Sequence, residues 1–199
     1  MPLVKRAEMH AEEKRVIGEL AAALVEEGSV IFLDSGTTVP HMLPHLLEKN
    51  VTIVTHSLSV MAEAARYPAL KVIGMGGRMN HTTYSLLGDA SGALQGIRPH
   101  TLFMAATALS AEWGVSNNTY DEYLLKSELI RRHHRIVVLA DNSKLGRNAS
   151  YSYCPFERIH AIVTDQLPGT RFVKAVKESG IELYYPQNPP PGTGRSAIG

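Results

Sequence analysis

Seven short runs of β-branched and aliphatic residues recur along the chain: VIFL (30–33), VTIVT (51–55), KVIGM (71–75), TLFMAA (101–106), RIVVLA (135–140), HAIVT (160–164) and IELYY (181–185). They are continuous rather than alternating, which reads as strands buried on both faces. Between them lie segments with helical spacing, at 12–27, about 39–48, 58–66, 89–95, 120–134 and 170–179. Such alternation leaves few architectures. The expectation is an α/β fold with an open, mostly parallel sheet and helices on both faces.

No internal repeat is visible, and 199 residues at 44% hydrophobic content suffice for one domain, expected over residues 1–186. The remainder, 187–199, is rich in proline and glycine and is expected to be a flexible extension. Lys and Arg total 20 against 19 acidic residues, so no basic excess points to nucleic acid or to an anionic membrane. The single cysteine, Cys154, excludes an internal disulfide and fits a reducing compartment. The charged N-terminus has no apolar signal core, and no window approaches about 18 uninterrupted apolar residues. A cytoplasmic protein without a membrane partner is expected.

The stretch FLDSGTTVPHML places Asp34, Ser35, Gly36, Thr37 and Thr38 between the first strand and a helical segment. A strand-to-helix turn of this kind gathers free backbone N–H groups at the positive end of a helix dipole, which favours an anion such as phosphate. The lysine of a P-loop and the spacing of a dinucleotide fingerprint are both missing. Other strands also end in small or polar residues: Thr55, His56 and Ser57; Gly76 and Gly77; Asp141 followed by Lys144. In an open parallel sheet, ligands bind beyond the carboxyl ends of the strands.

In the segment 120–134, Glu122, Lys126, Leu129 and His133 share one face at 3.6 residues per turn, flanked by Tyr123, Leu125 and Ile130. Asp121, Glu128, Arg131 and Arg132 occupy the other side. An acid and a lysine inside an apolar stripe are expected to point into a cleft rather than into solvent. Lys144 at a strand end would join Lys126 in facing an anion. His41 and His45 have the i,i+4 spacing of metal ligands but no accompanying carboxylate or cysteine, and neither metal nor cofactor is expected.

Taken in order, AEEKRVIGELAAALVEEGSVIFLDSGTT, VTIVTHSLSVMAEA, KVIGMGGRMNHTTYSLLGDASGAL, WGVSNNTYDEYLLKSELI, IVVLADNSKLGR and IHAIVTD resemble the C-terminal sensor domain of DeoR-family transcriptional repressors. The resemblance covers roughly residues 11–185. It implies a fold similar to ribose-5-phosphate isomerase and CoA-transferase domains, a homodimer or homotetramer, and no enzymatic activity. It also implies a phosphorylated sugar or related metabolite as effector. Asp34, Gly36, Thr37 and Thr38 would form the phosphate loop, with Thr55, His56, Ser57, Gly76 and Gly77 lining further loops and Glu122, Lys126, Asp141 and Lys144 around the sugar. His56 stands where the family commonly has asparagine. Family members normally begin with a winged helix-turn-helix; only about ten residues precede the first sensor helix here, so DNA would be reached only through an N-terminal domain absent from this chain. A sugar-phosphate isomerase and a purely structural oligomerisation module are the alternatives. Against the isomerase, Ala105, Ala106 and Thr107 stand where those enzymes carry an acidic tract.

Overall fold

The computed structural model describes residues 3–132, 135–191 and 193. In chain order the elements are α1 (Leu3–Glu8), α2 (Ala11–Ala23), β1 (Val30–Leu33), a 3-10 helix (Val39–His45), β2 (Thr52–Thr55), α3 (Leu58–Ala64) and β3 (Lys71–Gly74). Then follow β4 (Arg78–Asn80), β5 (Ser85–Leu87), α4 (Ala90–Ala93), β6 (Thr101–Ala105), β7 (Ala108–Ser110), β8 (Gly114–Asn117) and α5 (Tyr120–Arg132). The chain continues through β9 (Arg135–Leu139), β10 (Tyr151–Cys154), β11 (Ala161–Val163), α6 (Thr170–Glu178) and β12 (Glu182–Tyr184).

The seven expected strands form one sheet in the order β12-β11-β9-β6-β1-β2-β3, and every neighbouring pair is parallel. Successive side chains alternate between two cores. Phe32, Val54, Leu102, Met104, Ile136 and Val138 pack towards Leu125, Leu129 and Ile130 of α5 and Val176 of α6. Ile31, Leu33, Ile53, Phe103, Val137 and Leu139 pack towards Ile17 and Leu20 of α2, Met42 and Leu43 of the 3-10 helix, and Val60 of α3. Helices therefore cover both faces, as the alternation requires. The edges depart from the expectation of double burial: Ile73 on β3 is 40% exposed, and β12 is only partly covered.

Other differences have local causes. The segment 39–45 winds as a 3-10 helix rather than an α-helix. Pro44 inside it supplies no N–H and its ring crowds the carbonyl four residues back. Helix α2 buries Ile17, Gly18, Leu20, Ala21 and Ala22, while Val16, Ala23 and Leu24, which share one side by spacing, are only partly buried. Gly18 sets this rotation, because a Cβ there would lie 2.5 Å from the His41 carbonyl carbon, so the helix packs backbone-close on the 3-10 segment. The hairpin β4–β5 and the antiparallel sheet β10-β8-β7 were not legible, being built from strands of three or four residues. At the start of the stretch 187–199, Asn188 bridges back to Tyr185 in a turn, and its Nδ2 donates to the Leu183 carbonyl at 2.7 Å. His133 and the end of the tail lie outside the described residues.

Gly18→Ala is expected to lower stability by up to about 2 kcal/mol. Overpacking costs about 1–3 kcal/mol, and the gain in helix propensity returns only about 1 kcal/mol. Urea unfolding measures the difference; a stabilised variant would show that α2 does not seat on His41.

Candidate functional site

Beyond the end of β1 the side chain of Asp34 is fully buried and makes four polar contacts. Its Oδ2 accepts from the Ala105 amide at 3.0 Å and sits 2.9 Å from Lys126 Nζ. Its Oδ1 accepts from the Ser35 amide at 2.7 Å and lies 3.0 Å from His56 Nε2. A proton on Nε2 follows from that carboxylate contact, an assignment made from the network. The Ser35 amide, also 3.1 Å from Nε2, then belongs to the carboxylate, and His56 Nδ1 is buried with no partner among the described residues. Burial alone would push the Asp34 carboxyl up, but the Lys126 charge and then His56 outweigh it and hold it below its ordinary value. Burial works against the Lys126 ammonium, yet Asp34 and Glu122, the latter 3.5 Å away, keep it above its ordinary value. Tyr153 packs its ring 5.2 Å from Lys126 Nζ and donates its hydroxyl to the Ala105 carbonyl at 3.0 Å.

Above this network lies a cavity of about 250 Å³. It opens where the sheet order reverses: β2 lies on one side of β1 and β6 on the other, so the loops after β1 and β6 part there and leave a crevice. Its floor is Ser35 to Thr38 after β1 and Ala105 to Thr107 after β6. Its walls are Glu122 and Lys126 of α5, with Asp141, Ser143, Lys144 and Arg147 after β9. Arg6, Met9 and His10 beside α1, Lys14 of α2 and Thr83 of the β4–β5 loop complete it. Five basic residues (Arg6, Lys14, Lys126, Lys144, Arg147) thus meet two acidic ones (Glu122, Asp141) around the space.

Gly36 has a φ of +146°, and a Cβ on it would fall 2.6 Å from Ala105 Cβ. Only glycine serves there without strain. Among the described residues, no hydrogen bond is made by the N–H groups of Gly36, Thr37 or Thr38. These amides border the cavity, although the helix behind them is the short 3-10 segment rather than the full dipole expected.

The structure divides the sequence-predicted residues into two groups. Ser35, Gly36, Thr37, Thr38, Glu122, Lys126, Asp141 and Lys144 all border the cavity. Asp34, Thr55, His56, Ser57, Gly76 and Gly77 do not. Thr55 donates to the Leu33 carbonyl at 2.7 Å, and Ser57 caps α3 by accepting from the Val60 amide. A Cβ at Gly77, whose φ is +145°, would strike the Leu87 backbone at 2.5 Å, so Gly77 shapes the hairpin junction, whereas a Cβ at Gly76 would meet open space. Lys126 also departs from its expected part as a free cation, since both neighbouring carboxylates already hold it. Lys144 is paired with Asp141 at 3.1 Å but is 24% exposed, and its charge lowers the Asp141 carboxyl against the opposing effect of burial.

Sequence reasoning missed Arg6, His10, Lys14 and Arg147. Lys14 was findable by the argument applied to Lys126, since it falls on the same buried face of its helix as Ile17 and Gly18. Arg147 lies within the DNSKLGR stretch that carried the resemblance.

A parallel sheet with helices on both faces and a cavity at its switch point is the arrangement in which open α/β folds bind small ligands. The chain matches the family described as "DeoR C terminal sensor domain" over residues 9–166, and it belongs to that family. It is 31% identical over 186 residues to the HTH-type transcriptional regulator IolR of Bacillus subtilis (strain 168), spanning 92% of this chain and 74% of that protein. To the HTH-type transcriptional repressor GlcR of the same organism it is 27% identical over 175 residues, spanning 87% and 67%. Among solved structures it is similar to ribose 5-phosphate isomerase A from Methanocaldococcus jannaschii, with TM-score 0.51, 18% identity, and 68% and 55% of the two chains covered. The tetrameric eIF2B-beta2-delta2 complex from C. thermophilum aligns with TM-score 0.55 at 11% identity over 85% and 61%. These structural likenesses are of fold. No described helix is long and apolar enough to cross a membrane.

Lys126→Ala leaves the buried Asp34 carboxylate without its lysine and is expected to cost about 3–5 kcal/mol of folding stability. Urea unfolding checks this, and a loss below 1 kcal/mol would show that the pair does not organise the strand ends. Lys14 carries a second signature. Burial first, and the Lys144 charge second, lower its ammonium to about 8. In the unfolded chain lysine titrates near about 10.4, so the unfolded state binds more protons between those values and stability rises with pH across that window. The stability difference between the native chain and Lys14→Met is therefore expected to move in favour of the native chain from pH 8 to pH 10. A constant difference would contradict the assignment.

Proposed function

We propose that this sensor domain takes a phosphorylated sugar, or a closely related small anionic metabolite, into the cavity at the switch point. Occupancy then alters DNA binding by a module on the N-terminal side of the domain, in a homodimeric or homotetrameric assembly. One observation carries the reading: five basic side chains and three unengaged amides converge on a cavity bordered by only two acids, each of those acids already beside a lysine. An anion there gains charge-assisted hydrogen bonds at little reorganisation. The cavity is below the usual range of about 300–1,000 Å³ for ligand sites, which suits a compact metabolite better than a nucleotide.

No chemical step belongs to this reading. Aldose–ketose isomerisation needs a carboxylate free to move a proton between carbons. Asp34 is sealed beneath the floor, Ala105 to Thr107 offer no acid, and Glu122 and Asp141, which do border the cavity, are each held beside a lysine. The function is therefore linkage: a ligand that binds one state of the assembly better than another shifts the population by that difference alone.

A thermal-shift panel of sugar phosphates beside the corresponding free sugars tests the reading. A ligand at a hundred times its dissociation constant adds about 2.7 kcal/mol of stability. Phosphorylated members are expected to stabilise and free sugars not, with Lys144→Ala weakening the affinity by about 1.5–3 kcal/mol. A panel in which nothing stabilises, or in which free sugars do as well, rejects the proposal.

A further inference from the structure

We infer that α1 and the corner joining it to α2 form a strap that an anion in the cavity draws closed, with Arg6 and Lys14 supplying the contacts. This inference rests on the proposed function. It adds which residues complete the site and how occupancy reaches whatever precedes residue 10.

Arg6, Met9 and His10 border the cavity although they lie far in sequence from the sheet loops that make its floor. The strap is held to the body by polar contacts. Arg6 Nη2 donates at 3.1 Å to the carbonyl of Thr82, the neighbour of Thr83 in the cavity wall. Lys14 Nζ donates to the Met9 carbonyl at 2.6 Å and to the Arg6 carbonyl, which ties the end of α1 to the start of α2. Among the described side chains, few support these bonds with apolar burial: Lys5, Ala7 and Glu8 are exposed, and Met9 is 45% exposed. Segments held this way open at low free energy. The turn itself is at His10, a non-glycine residue at φ 56°, ψ 41°, a left-handed conformation that contacts around it must sustain.

Two further facts point to an anion. Arg6 Nε is buried and has no hydrogen-bond partner among the described residues, so the guanidinium has a donor in reserve at the cavity wall. Lys14 is 3% exposed and feels the repulsion of Lys144 across the same space. A phosphate between them would remove that repulsion and accept from Arg6. The gain falls on the strap, so the occupied domain holds α1 more firmly than the empty one.

Hydrogen exchange of the full chain, with and without ribose 5-phosphate, glucose 6-phosphate or inorganic phosphate, tests this without any substitution. The expected result is slower exchange of amides 5–14 with whichever probe binds, and at least about tenfold weaker binding in Arg6→Ala. Arg6→Lys should recover part of the affinity. If a probe binds the native chain but amides 5–14 exchange unchanged and Arg6→Ala binds equally well, the strap is overturned while the sensor reading stands. If none of the probes binds, both fall.

Discussion

A carboxylate removed from water must be matched by donors, and in this domain the match is made by pieces drawn from four places in the chain. Asp34 follows β1, the Ala105 amide ends β6, His56 follows β2 and Lys126 projects from α5. None of these elements is adjacent to all the others in sequence. Satisfying one buried charge thus fixes the carboxyl ends of three parallel strands and the helix that roofs them. The floor of the cavity inherits its shape from that requirement, including the close approach of Gly36 to Ala105.

The site consequently has two tiers with different chemistry. The lower tier is neutralised internally and excludes water; its residues set geometry. The upper tier, with Lys14, Lys144, Arg147 and Arg6, keeps an excess of positive charge facing an open space. Lys126 belongs to both, which is why its removal should be read first as a change in folding and only then as a change in binding. Lys144 offers the cleaner report on the proposed effector, because its partner Asp141 also bonds to Ser143.

The sheet was legible because each of its strands is a continuous apolar run, a pattern that parallel strands with two covered faces demand. The buried face of α5 was legible for a related reason: Glu122 and Lys126 interrupt an apolar stripe, and charges do not sit there without partners. Their actual partner was not legible, since nothing local links position 126 to position 34. The antiparallel pieces escaped because strands such as ALS and RMN carry no periodicity long enough to register. Thr55, His56 and Ser57 looked like ligand groups because strand-end polar residues serve equally well to cap helices and to bond carbonyls of neighbouring strands. Arg6 sits in a helix of only six residues, too short for a periodic pattern to announce it.

Five cations reach the cavity from positions 6, 14, 126, 144 and 147, brought within reach of one another by the pairing of β1, β6 and β9. During synthesis the first two emerge more than a hundred residues before the last three. A partly made chain therefore has the loop after β1 but no charged enclosure around it, and the site of the proposed effector is incomplete until β9 and the loop after it have been added beside β6. Responsiveness in this architecture is a property of the finished chain, so a ribosome-bound fragment would neither be steadied nor be switched by the small molecule proposed for it.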